Sequence, residues 1–176
     1  MSNELIIYPT EKLSKKNKSI FFNNLIKQNI NKNILKNLNY EIVEPYGLES
    51  SLIKNNFDKL EEVYNKFIKE LTVQLNELHL ENKSERYWSI ILGAWLRDLI
   101  WTTYNRYSSI QQTFKKNEKN SILTIDDTKY NPVSEEVFDF MSNTNDLLFD
   151  AILINKILDQ TKYKNKINKI LSSKDK

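Results

Sequence analysis

Apolar residues recur along this chain at two spacings, and the spacing divides it into elements. The longest helical signal is Phe57, Leu60, Tyr64, Phe67, Leu71, Leu75 and Leu78, stepping by three and four. It predicts one amphipathic helix over 57–78. Asn56 suits its cap, and Asp58, Glu61 and Glu62 suit the positive end of its dipole. A polar break follows at Glu81-Asn82-Lys83, after which Ser84 can cap a second long helix running to about Phe114. The first half of that helix is apolar nearly all round, from Trp88 to Trp101, which predicts a central, buried element. The short break favours an antiparallel pair.

Shorter apolar runs at Leu5–Tyr8, Tyr40–Val43 and Ser121–Ile125 predict strands; the first is stopped by Pro9 and the second by Glu44-Pro45. Ser19–Leu38 has helical spacing diluted by many Asn residues. Two short helices are expected over Ser134–Met141 and Asp146–Gln160. With only two Gly and three Pro, long helices are favoured over hairpins and loops. The expected fold is a helix-dominated α/β domain with a small parallel sheet and two long central helices. The domain is expected over 1–160, followed by a basic, poorly ordered tail over 161–176.

Composition narrows the chemistry. An apolar fraction of 40% is that of a chain that folds. The net charge of +3 comes from Lys spread along the chain, which gives no reason to expect a nucleic acid partner. Without Cys there is no disulfide or thiolate, and the single His79 excludes a multi-histidine metal site, leaving only carboxylate-rich ion sites; the carboxylate pair Asp126-Asp127 reads as a turn, so no metal is expected. Two glycines leave no phosphate-binding Gly-rich loop. The polar start at Met1–Glu4 does not read as a signal peptide, and Arg97 and Asp98 interrupt the longest apolar stretch. A cytoplasmic protein with no transmembrane segment is expected.

The stretch 75–106 concentrates the scarce residues: His79, three Trp, Arg86, Arg97, Arg106 and Gly93. Arg in so Lys-rich a chain suggests a need for its planar fork, which grips carboxylate or phosphate through two bonds. Arg86 and Tyr87 fall in the first turn of a predicted helix, where backbone N–H groups also favour anions. His79 faces the same break and is the one imidazole available as a base. Against this, Trp88 and Trp95 are seven apart, the spacing of one buried face, and a His at a helix end can simply answer the dipole. Arg97 beside Asp98 suits a pair with a neighbouring helix. The residues alone define a helical domain with a candidate anion pocket.

The same residues carry a resemblance. Tyr64, Leu71, Leu75-Asn76, His79, Ser84, Arg86-Tyr87-Trp88, Ile91-Leu92-Gly93, Trp95-Leu96 and Arg106 follow one family pattern. Leu38-Asn39-Tyr40, Pro45-Tyr46 and Asn145-Asp146 fit its flanks. Over about residues 38–157 the chain resembles the N-terminal region of the transferases of leptospiral-type O-antigen and other surface-carbohydrate loci. Ala94 stands where the family usually has Pro. The resemblance implies the acceptor-side lobe of a larger, two-lobed sugar transferase, truncated here and inactive alone. Its partners would be a C-terminal donor-binding lobe and a glycan acceptor. No cofactor is implied for this chain, and a nucleotide-activated sugar donor is implied for the full-length parent. The family supplies no catalytic residue to carry over, so the candidates are His79 as base and Asn76, Arg86, Tyr87, Trp88 and Arg106 as substrate contacts. The alternative is a stand-alone helical protein-interaction module that uses the 57–78 stripe.

Overall fold

The computed structural model describes residues 3–10, 13, 15–43, 46, 50–116, 121–126 and 146–170. Where the sequence predicts one domain, the chain forms two compact units, residues 1–46 with 106–176 and residues 47–105. No helix among the described residues is long and apolar enough to cross a membrane.

The first unit is built on a parallel sheet. Its strands are β1 (Asn3–Ile6), β2 (Lys18–Phe21), β3 (Tyr40–Ile42), β4 (Ser121–Ile125) and β5 (Ile167–Ile170), in the order β3-β2-β1-β4-β5. Register sets the two faces, because directly paired residues project to the same side. Leu5 pairs with Ile20 and Ile122 on one face, and Ile6 pairs with Phe21 and Leu123 on the other. Both sets are buried, as a parallel sheet requires, and they form the core with Phe114, Ile154 and Leu158. Helices lie on both faces. Lys27 of α1 (Asn24–Gln28) sits over the Tyr40 ring on one side. On the other, Asn155 of α5 (Leu147–Asp159) accepts from Thr124 Oγ1 at 2.8 Å and donates to the Ile125 carbonyl at 3.1 Å.

Two strands lie where the sequence predicts otherwise. The expected helix over Ser19–Leu38 is instead β2, then α1, then α2 (Lys32–Leu35). The Asn residues that weaken the helical pattern mark the new boundaries. Asn23 caps α1 by accepting from Ile26 N, and Asn31 caps α2 by accepting from Asn33 N. The expected tail also contains structure. Tyr163 is buried and stacks on Phe114 at 4.1 Å, and β5 pairs with β4 as an edge strand. Its Asn and Lys look like a solvated end because charged residues are common on edges. The expected helix over Ser134–Met141 lies outside the described residues.

The second unit is an antiparallel helical hairpin of α3 (Ser50–His79) and the first part of α4 (Glu85–Lys116). Both long helices predicted from the periodicity are present. Since α3 starts at Ser50, Asn56 is an interior residue, buried, accepting from Tyr104 Oη at 2.9 Å. Ser84 does cap α4, with Tyr87 N donating to its Oγ. The buried seam is Tyr64, Ile68, Trp88 and Leu96, flanked by Leu71, Leu75, Leu92 and Trp95. Arg97 lies over the Tyr64 ring at 3.8 Å and grips Glu61 through Nε and Nη2. The predicted burial of α4 all round does not hold here. Ile90 and Ile91 are exposed on α4, as are Phe57, Phe67 and Leu78 of the α3 stripe. Within a two-helix unit each helix has one covered face.

Candidate functional site

In an open α/β sheet, ligands bind outside the carboxyl ends of the strands, where the strand order reverses. Here the chain runs outward from β1 through β2 to β3, then crosses to β4 on the other side of β1. The reversal point therefore lies between β1 and β4. Ile7 and Tyr8 leave β1 at this edge, Asn23 follows β2, and Asp126 follows β4.

One charged network stands on this edge. Asn23 is placed there by its position two residues beyond β2, where its Oδ1 caps α1. Asp150 is in the first turn of α5, fixed by the Asp146 cap, which accepts from Leu148 N and Phe149 N. Arg106 Nε donates to Asp150 Oδ1 at 2.8 Å, and Asn23 Nδ2 donates to Asp150 Oδ2 at 3.1 Å. Both carboxylate oxygens are thus occupied. The Asp150 side chain is only 7% exposed and that of Arg106 27%, so the acid is covered and the base reaches solvent. Burial pushes the Asp150 carboxyl above the usual aspartate range, against the opposing pull of Arg106 and Asn23.

The remaining sequence candidates gather elsewhere, at the tip of the α3–α4 hairpin. Asn76 is a brace. Its Oδ1 accepts from Lys83 N and from Trp88 Nε1, both at 3.0 Å, while its Nδ2 donates to the Lys83 carbonyl at 2.8 Å. Trp88 is buried beneath this clasp. The His79 ring stacks on Trp88 at 5.8 Å, and Tyr87 meets Trp88 edge-on at 5.2 Å. Arg86 is exposed and makes no hydrogen bond or ion pair among the described residues. His79, Arg86 and Tyr87 are therefore accessible together, whereas Asn76 and Trp88 are engaged internally. Arg106 is not part of this group; it is committed to Asp150, twenty positions further along α4.

A cleft of about 350 Å³ lies over Ile20 and Val43, with Glu41, Gln112, Thr113 and Lys116 on its walls. Glu41 is already paired with Lys18, so the cleft offers less free charge than its lining suggests. Among the described residues no group of three or more acidic or histidine side chains could hold a metal ion.

Of the three side chains in this network, the sequence singles out Arg106 as a candidate and not Asn23 or Asp150. The signal that points to Asp150 is a single carboxylate inside the apolar run Leu147-Leu148-Phe149-Asp150-Ala151-Ile152. A charge at such a position needs a partner. No curated protein and no solved structure matches the chain. A family model described as LIC12162 family transferase matches residues 4–176. With that match spanning nearly the whole sequence, the chain belongs to the LIC12162 family of transferases.

Proposed function

We propose that the chain is the acceptor-side part of a cytoplasmic sugar transferase that builds surface polysaccharide, with its substrate approaching the carboxyl edge of the parallel sheet. The observation that carries this reading is the Asn23–Asp150–Arg106 network, which holds a partly exposed guanidinium at the edge where such sheets bind ligands. In this reading a nucleotide-activated sugar binds to a C-terminal lobe, and the acceptor hydroxyl attacks the anomeric carbon as the nucleotide leaves. His79, Arg86 and Tyr87 belong to the hairpin tip of the second unit and take no part in the step at this edge, so the acceptor proton passes to a base of the donor lobe or to water. The present chain alone then has no transfer activity. The test is a transferase carrying this chain ahead of its donor lobe, supplied with radiolabelled nucleotide sugars and a glycan acceptor. Label appearing in the glycan supports the reading. Turnover by the present chain alone, or transfer of a group other than a sugar, overturns it.

A second reading, a helical protein-interaction module, is supported by apolar side chains at the hairpin tip. Leu78 is 74% exposed, Leu80 93% and Ile90 76%. A stable complex captured by the second unit and lost in Leu80→Asp would favour it.

A further inference from the structure

We infer that Arg106 is an oxyanion receptor, and that the substrate meeting the carboxyl edge of the sheet carries a phosphate or carboxylate group bound by its two Nη nitrogens. This inference deepens the transferase reading and rests on it for the identity of the ligand as a substrate.

The argument begins with how the guanidinium is held. An arginine side chain has many rotamers, and fixing them costs binding free energy whenever a free arginine captures a ligand. Arg106 has already been fixed, because Nε is tied to a carboxylate that is itself held by Asn23. Asp150 is in turn set by its place in the first turn of α5. The anchor uses the Nε edge of the fork. Among the described residues neither Nη nitrogen has a hydrogen-bond partner, and the side chain is partly exposed. Four N–H donors therefore remain on a planar, oriented group, a geometry that matches two oxygens of a phosphate or carboxylate.

A purely structural ion pair would look different. Arg97 supplies the comparison within the same chain, since it uses both Nε and Nη2 on Glu61 and covers its flat face with Tyr64. Arg106 is held by one edge only. Asp150 offsets much of the Arg106 charge, so it is the four oriented Nη donors rather than net charge that would hold the anion. Its effect is to orient the base behind the ligand, as buried carboxylates do for metal-binding histidines.

The experiment uses the purified chain labelled with nitrogen-15. The Arg106 Nε–Hε resonance is followed while sodium phosphate, and separately sodium glucuronate, replaces chloride at constant ionic strength. Saturable shifts of that resonance with either anion are expected, and the anion that saturates at lower concentration identifies the source. Arg106→Lys, followed through the backbone amide resonances beside position 106, should weaken binding on the order of tenfold or more, since it keeps the charge and loses the fork. Arg97→Lys should leave it unchanged. The wild-type titration needs no variant, so poor folding of Arg106→Lys would not obscure the result. Absence of saturable shifts with both anions, or equal affinity in folded Arg106→Lys, overturns the inference. A sugar transferase that works without anion binding at Arg106 would retain the functional reading and lose this one. Anion binding in a protein that transfers no sugar would do the reverse.

Discussion

The indole N–H of Trp88 donates to Asn76 Oδ1 at 3.0 Å, across the break that joins the two long helices. The same amide clasps both backbone groups of Lys83, so one side chain closes the loop and satisfies a buried indole. Asn76→Ala should therefore cost about 1–3 kcal/mol, because the Trp88 N–H is left without its acceptor. Urea denaturation followed by tryptophan fluorescence measures this. A loss near zero would return Asn76 to the pool of substrate contacts.

Leu80 sits at a left-handed φ of 53°. Glu81 N donates to the Asn76 carbonyl and Leu80 N to that of Glu77, the pattern of a helix end that ordinarily selects glycine. Leu80→Gly should stabilise the chain by about 0.5–1 kcal/mol, the backbone strain removed less the entropy glycine adds to the unfolded state. Thermal unfolding would show the midpoint rising. A fall would mean that the leucine makes a contact worth more than the strain.

Gly93 is where α3 and α4 come close. A β-carbon built there would lie 2.9 Å from the Tyr64 hydroxyl oxygen. Gly93→Ala should destabilise by about 1–3 kcal/mol through overpacking. In a Tyr64→Phe background the obstructing oxygen is gone, so much of that cost should disappear. A double-mutant cycle with no coupling would place the clash elsewhere.

Glu4 lies between Ser19 and Ser121 in the sheet register, and its Oε2 is buried without a hydrogen-bond partner among the described residues. Burial raises its carboxyl above the ordinary value of 4.5. The folded state therefore holds the proton more tightly than the unfolded state, and ionised Glu4 opposes folding at neutral pH. That penalty grows as pH rises from the ordinary value through the raised one, and it is absent below both. Glu4→Gln should accordingly be more stable than the wild type at neutral pH, with the advantage vanishing in acid. Parallel stability curves across pH would contradict the assignment.

Much of the architecture was legible because the strongest periodic signals belong to α3 and α4, whose helical spacing survives any tertiary arrangement. The boundaries were less so. Ile20 and Phe21 extend the helical spacing seen at Leu25 and Ile30, and nothing local marks the change from strand to helix except Asn23, which acts as a cap. β5 was hidden by its edge position, where polar residues cost little. Clustering of scarce residue types pointed to Arg86 and Arg106 together, because both lie on one predicted helix. The structure assigns them to different units, since only long-range pairing with Asp150 distinguishes Arg106. Asn23 and Asp150 are 127 positions apart and share no local pattern.

In the proposed reading, the carboxyl edge of the sheet serves sugar transfer through Arg106. The most direct measurement is kcat/KM for Arg106→Lys in a transferase carrying this chain and its donor lobe, with the melting temperature recorded beside it. A loss on the order of 100-fold with folding intact is expected, the scale of removing one oriented donor from a reacting site. Wild-type kcat/KM in a folded Arg106→Lys enzyme would contradict it.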